Sequence, residues 1–283
     1  MTQEQLQLYV AVENGDLAMV KHLVTSDGQS LDITAANNWA ICGAVRYALG
    51  NEQLDMVRFL VEEAPRFGQP QVDVTADDNS AVRWAAFNGY LDVIRYLVEE
   101  APRFGQPQVD VTANDNEGVS WAAENGNLDI VRYLVEEAPK FGQPQVDVTA
   151  NDNYAVRWAA GNGCLKVVRY LVEEAPKFGQ PQVDVTANDN EGVRWAAEFG
   201  KLDVVRYLVE EVPFITGQII PSTLEFEVKP FDSEFNRYFE SKRKMLKNLE
   251  QLKEAGIPVE EWKELLEEME ETETEPNRPF IRI

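Results

Sequence analysis

Apolar positions along this chain come in two alternating textures, small and then large. Val82, Ala85, Ala86 and Gly89 fall at i, i+3, i+4 and i+7, the spacing of one helical face built from small side chains. Asn88-Gly89 then reads as a turn, and Leu91, Ile94, Leu97 and Val98 form the face of a second helix that runs to about Glu100. Asp78 or Asn79 is placed to cap the first helix by accepting from its free amides, and Pro102 is expected to stop the second. Arg95 and Glu99, four apart on the outer side, add a few tenths of a kcal/mol or so. The next stretch, FGQPQVDVT, alternates Val109 and Val111 and predicts an extended return to another helix of small residues.

This pattern repeats. Trp84, Trp121, Trp158 and Trp195 recur every 37 residues, and Leu17, Leu54, Leu91, Leu128, Leu165 and Leu202 carry the same beat over a longer span. The first two copies are the most divergent, and the second is read as carrying about four extra residues near Asn38 to Gly43. A pair of helices this short cannot bury its apolar faces alone, so copies must stack and share a core. The fold class expected is therefore all-α, a solenoid of about six helix pairs over residues 1–212.

The copy Tyr154-Ala-Val-Arg-Trp-Ala-Ala-Gly-Asn-Gly-Cys-Leu-Lys-Val-Val-Arg-Tyr-Leu-Val172 resembles the ankyrin motif T-P-L-H-x-A-A-x-x-G-x-L-x-x-V-x-x-L-L, in register over about three quarters of the chain. Paired-helix TPR units lack the extended Val-Asp-Val stretch. Two departures stand out. Arg83, Arg157 and Arg194, with Ser120 in one copy, occupy the family's His position, so the hydrogen bonds that usually join repeats there must differ. The finger between repeats is shortened, while the loop after the second helix is lengthened. Repeats of this kind are similar to those abundant in giant viruses, amoebae and some intracellular bacteria. The resemblance implies an ankyrin-repeat solenoid that binds proteins without catalysing a reaction.

Because the copies are nearly identical, the positions that vary between them are conspicuous. They are Ser80/Glu117/Tyr154/Glu191, Phe87/Glu124/Gly161/Glu198, Asn88/Asn125/Asn162/Phe199 and Tyr90/Asn127/Cys164/Lys201. All lie at the start or end of the first helix or in the turn after it. In ankyrin proteins such positions line the concave and finger side, which makes Glu117, Tyr154, Glu191, Phe87, Glu124, Glu198, Phe199, Tyr90 and Lys201 the candidate partner-binding residues. Neutral drift at exposed positions is the competing account. Trp84, Trp121, Trp158 and Trp195 point away from the Val/Ala face and are read either as packing against the next repeat or as an aromatic stripe for contact.

Charge narrows the partners. With 49 acidic against 26 basic residues the chain carries -23, which repels phosphate backbones and argues against nucleic acid as a ligand. The same charge permits an acidic decoy that imitates nucleic acid, and near-identical repeats permit a structural or self-assembling array. Those are the alternatives to a protein-binding adaptor, which a pathogen source would direct at host proteins. No run of apolar residues is long enough to span a membrane, and the N-terminal residues lack a signal-peptide pattern, so a cytoplasmic protein is expected. Two distant cysteines, Cys42 and Cys164, suggest neither a disulfide framework nor zinc. The single histidine, His22, sits where other copies have Tyr96 or Tyr133. Asp-Asn tripeptides lack calcium-loop spacing and read as helix caps, and no phosphate-binding glycine loop occurs. No catalytic residue, metal site or cofactor is expected.

After Pro213 the beat is lost. Residues 213–231 read as an extended connector and 232–271 as a helical hairpin, with Phe235, Phe239, Leu246, Leu249 and Leu252 on one helix and Trp262, Leu265, Leu266 and Met269 on the other. Residues 272–283 read as a charged tail. The hairpin has two readings, a cap over the last repeat or a second docking element. Lys242, Arg243, Lys244 and Lys247 give it the main basic cluster of the chain. No F-box-like signature accompanies it.

Overall fold

The computed structural model describes residues 2–26, 31–47, 53–222 and 233–274, with the side chains of 233–237, 268 and 270–274 outside that description. Phe235, the second half of the connector and most of the tail therefore lie outside the described side chains. Every regular element among the described residues is helical. The chain divides into two compact units, Met1–Ala150 and Asn151–Ile283. Helix pairs whose first helices are Gln3–Glu13, Ala35–Arg46, Ala76–Asn88 and Ala113–Glu124 make up the first unit. The second holds the pairs that begin with Ala150–Asn162 and Ala187–Glu198, followed by the terminal helices Ser233–Glu254 and Trp262–Thr274.

The core follows the two textures. Ala81, Val82, Ala85 and Ala86 of the third repeat are buried, as are Val93, Ile94, Leu97 and Val98 of its second helix. Val109 and Val111 in the return segment are buried too. Small residues on the first helices let neighbouring backbones come close: a Cβ added to Gly192 would lie 3.1 Å from the Cα of Arg157 in the preceding repeat.

The helix starts differ from the expectation. Asp77, Asp78 and Asn79 all have positive φ, between 52° and 59°, and form one left-handed turn before the right-handed helix begins. Four other repeats do the same at Ala36–Asn38, Asn114–Asn116, Asn151–Asn153 and Asn188–Asn190. Asn and Asp tolerate this region better than other side chains, which is why they fill it. Asn79 does not cap its own helix. Its Oδ1 accepts the backbone N–H of Asp110 in the following repeat at 2.8 Å, as Asn116 does for Asp147 and Asn153 for Asp184. The approach is set by Asp73, whose carboxylate accepts from the N–H and hydroxyl of Thr75 at 2.9 and 2.7 Å.

Pro102 does not stop the second helix; it reshapes it. A proline has no N–H and crowds the carbonyl four residues back. The turn Tyr96–Glu100 widens so that the N–H of Ala101 reaches Tyr96, and a tight turn at Ala101–Phe104 carries the proline. Gly105, at φ 81°, ends the element. The carbonyl of Val98, which Pro102 cannot serve, instead accepts from Nε2 of Gln108 at 3.2 Å. Val61 and Gln71, Val135 and Gln145, and Val172 and Gln182 repeat the arrangement. The first glutamine of two QPQ segments looks the other way: Oε1 of Gln106 accepts the N–H of Val74, and Gln143 that of Val111.

Two sequence boundaries move. The extra residues of the second repeat are not at Asn38 to Gly43, because Thr34 to Tyr47 align with Thr75 to Asn88 through the same left-handed turn. They fall between Tyr47 and Gln53, outside the described residues. The connector also starts later than Pro213. Val212–Thr216 is helical, Gly217 closes it at φ 70°, and Gln218 accepts the N–H of Val185 just as Gln106 serves Val74. The last repeat therefore keeps its loop, and Ile219 and Ile220 are buried.

The terminal hairpin repeats a contact used between repeats. Tyr133 donates its hydroxyl to Glu99 of the preceding repeat at 2.9 Å with the Arg95 guanidinium near its ring; Tyr207 does so with Glu173 and Arg169. Tyr238, on the first hairpin helix, donates to Glu210 at 3.0 Å with Arg206 over its ring. Lys242 adds an ion pair to Glu210 at 2.9 Å. Burial raises the pKa of each of these tyrosines, and the bonded glutamates raise it further, so they remain donors. Phe239, Leu246, Leu249, Leu252, Trp262 and Leu266 are buried, and Val259 and Trp262 close over Gly217.

Replacing Gln108 with Ala is expected to cost about 1–2 kcal/mol by leaving the Val98 carbonyl without its donor. In a Pro102→Ala background, where residue 102 regains an N–H, the same change should cost clearly less. Urea unfolding of the four proteins in this cycle measures the coupling, and additive costs would refute the assignment.

Candidate protein-binding surface

The variable positions gather around the tryptophans. In the first unit Trp84 and Trp121 lie 5.1 Å apart by ring centroid, and Phe87 sits edge-on to both at 5.3 and 5.6 Å. Arg46 places its guanidinium 4.2 Å from the Trp84 ring. In the second unit Tyr154 stacks on Trp158 at 5.3 Å, and Trp158 meets Trp195 at 4.7 Å. All four tryptophans are half-buried. The ladder therefore packs between repeats and keeps part of each ring open, so the two readings of it are not exclusive.

Glu117 and Glu191 have internal duties. Arg83 pairs with Glu117 of the next repeat, and Arg157 pairs with Glu191 in the same way. The same arginines close the left-handed turns: Arg83 donates from Nε to the Asp78 carbonyl at 2.9 Å and from Nη2 to Asp77 at 3.0 Å. Arg157 treats Asp152 and Asn151 likewise, at 2.8 and 3.1 Å. This is the bonding that stands at the family's His position. Arg157 is nearly covered, its side chain 9% exposed against 42% for Arg194, whose carboxylate partner Asp189 is 3.5 Å away.

The remaining candidates are more available. Glu198 and Phe199 are exposed, the latter by 58%, and Glu124 is half-buried. Tyr90 is half-buried, and its hydroxyl accepts from Nε2 of Gln53 at 3.2 Å. Lys201 lays its aliphatic stem along Gly163, whose missing Cβ would come within 2.7 Å of it.

Two features escaped the sequence. Arg46 holds the place of Phe87, Glu124, Gly161 and Glu198, a correspondence hidden by the misplaced insertion in the second repeat. Phe67, Phe104, Phe141 and Phe178 are exposed at one identical position of the loop after the second helix, each following an exposed Arg or Lys. The recurrent Pro-[Arg/Lys]-Phe-Gly was visible but resembled a plain turn.

Burial pushes the Cys42 thiol up to about 11 and raises that of Cys164, the opposite of an activated thiolate. His22 is exposed. Among the described residues, no three His, Cys, Asp or Glu side chains are placed to hold a metal, and no helix is long and apolar enough to cross a membrane.

A family model for ankyrin repeats, in three copies, matches residues 8–115 and 119–216, well over half of the chain. No curated protein matches it.

Arg157→Met should destabilise the protein by about 2 kcal/mol or more, since it strands a half-buried carboxylate and two carbonyls. Arg194→Met, at an exposed pair, should cost less than about 1 kcal/mol. Denaturant midpoints compare the two directly; equal losses would contradict the assignment of Arg157 as the tie between repeats.

Proposed function

This chain belongs to the ankyrin-repeat family, and from that premise we propose that it is a non-catalytic adaptor that grips a protein partner along the ends of its first helices and the turns after them. Ankyrin repeats are generally protein-interaction modules. The observation that carries the reading is local. Where near-identical repeats differ, they present partly open aromatic rings beside carboxylates, and Glu198 and Phe199 offer both kinds of group at adjacent exposed positions. Aromatic anchors next to charge are the usual energetic centre of a protein interface. The net charge of -23 favours a partner surface of opposite sign.

Residues 232–271 serve this function as a cap. The Tyr238–Glu210–Arg206 contact repeats the bond between consecutive repeats, which supports a role in covering the end of the array. Resemblance to short-finger repeats of intracellular organisms is what points toward a host protein as the partner.

The test begins with a partner recovered by affinity capture on the full-length chain and then purified. Reversing charge at Glu124 and Glu198 together, both to Lys, should weaken its binding at least about tenfold. Phe199→Ser should do the same while leaving the denaturant midpoint within experimental error. Calorimetry with the purified partner gives the affinities, and a partner indifferent to all three changes would rule out this face.

A further inference from the structure

The exposed phenylalanines in the loops after the second helices take no part in the binding face described above. In the first unit Phe67, Phe104 and Phe141 are 53, 39 and 42% exposed, although phenylalanine is among the residues most often buried. Their loops stand side by side. The turn Phe59–Glu63 packs on Ala101–Phe104 of the next repeat, and Tyr96–Glu100 packs on Ala138–Phe141. Each ring sits on a stiff turn that a proline opens and a glycine closes. Gly68, Gly105 and Gly142 have φ of 82°, 81° and 82°, and their N–H groups donate to Pro65, Pro102 and Pro139 at 3.1, 3.2 and 3.2 Å. Beside each ring the surface is open, because a Cβ on any of these glycines would meet nothing within 4 Å. An apolar group held in water on a stiff turn loses little further freedom when something covers it.

Charge decides what fits there. A cation stands directly before each ring, at Arg66, Arg103 or Lys140, and two glutamates lie three and four residues before that cation. Lys140 pairs with Glu137 of its own loop, whereas neither Arg66 nor Arg103 takes part in an ion pair among the described residues. Each loop is therefore net acidic, which disfavours an anionic bilayer. It also carries both signs, which disfavours a partner surface of a single sign. The complement of a row that repeats ring, cation and carboxylates at one spacing is a row of the same spacing in reversed order. A second copy turned about a two-fold axis supplies it.

We propose that Phe67, Phe104 and Phe141 form the contact of a two-fold homodimer. With the axis at Phe104, that ring meets its counterpart, and Phe67 of each copy lies beside Phe141 of the other. Arg66 then faces the loop that carries Glu137, and Lys140 faces the loop that carries Glu63. This goes beyond the protein-binding reading and uses none of its residues, so either can fail while the other stands.

Sedimentation velocity of the full-length chain from about 1 to 100 µM at physiological salt is the test, a range that covers a modest contact between stable folds. Its mass should rise from monomer to dimer. Phe67→Ser, Phe104→Ser and Phe141→Ser combined should weaken association at least about tenfold. Arg66→Glu with Arg103→Glu leaves the rings in place and should weaken it about three- to tenfold. Single cysteines in a Cys164→Ser background, with Cys42 buried, read the pairing. Under mild oxidation Phe104→Cys should link to itself, and Phe67→Cys should link to Phe141→Cys in a mixture but not to itself. A chain that stays monomeric at the highest concentration, or a dimer indifferent to both the serine and the glutamate variants, overturns the proposal. Self-linking of Phe67→Cys overturns it too, since it requires parallel rows. Vesicles of phosphatidylserine and phosphatidylcholine represent the competing occupant: ring-dependent binding to them by a chain that remains monomeric would give the row to a bilayer instead.

Discussion

A backbone amide that finds its acceptor only in a neighbouring repeat is the constraint on which this structure depends. The N–H of Asp110 is met by Asn79, that of Val74 by Gln106, and that of Val111 by Gln143. Two of these three contacts are buried, where an unmet donor costs about 1–3 kcal/mol. A repeat removed from its neighbour loses acceptors as well as apolar contact. Hydrophobic burial supplies the larger part of the attraction, but it is indifferent to small slips. The amides are not, and they fix the spacing at which one repeat meets the next.

That fixed spacing has consequences for the surface. Side chains on the first helices come into contact across repeats at a set distance, so tryptophans at one position become a ladder with ring centroids 4.7 to 5.1 Å apart. It also turns one substitution into a local change of chemistry. Arginine, phenylalanine and glycine at a single place leave the next tryptophan covered by charge, covered by a ring, or resting on backbone. A solenoid of near-identical units can thus vary its contact surface without disturbing its core, because the variable positions lie outside the amide exchange. Some variable positions nonetheless belong to the joint: Glu117 and Glu191 pair with Arg83 and Arg157, and Asn88 and Asn127 donate to carbonyls of the preceding repeat.

The same joint explains the end of the array. The last repeat presents Glu210 and Arg206, the halves of a contact that expects a tyrosine from a following repeat, and the hairpin supplies it with Tyr238. Gln218 meanwhile takes the amide of Val185 and donates to the carbonyl of Val183 at 2.7 Å, so the final return segment is satisfied by the last repeat's own loop. A helix from outside the repeat pattern can close the stack when it carries the one side chain that the open face lacks.

The sequence alone was enough for the helix pairs, their 37-residue beat and the resemblance to ankyrin repeats, because periodicity of apolar residues is a local property that survives without coordinates. It also marked the variable positions, among them the exposed pair Glu198 and Phe199. It did not reveal that Asn79 turns away from its own helix, that Gln108 replaces the donor Pro102 lacks, or that Arg46 shares a place with Phe87. Each of those depends on a left-handed turn or a contact between residues 10 to 38 positions apart in the chain. An Asp-Asn tripeptide before an apolar run has the same composition whether it caps a helix or reverses its hand. Only the neighbouring repeat, arriving with an amide to be met, decides between them.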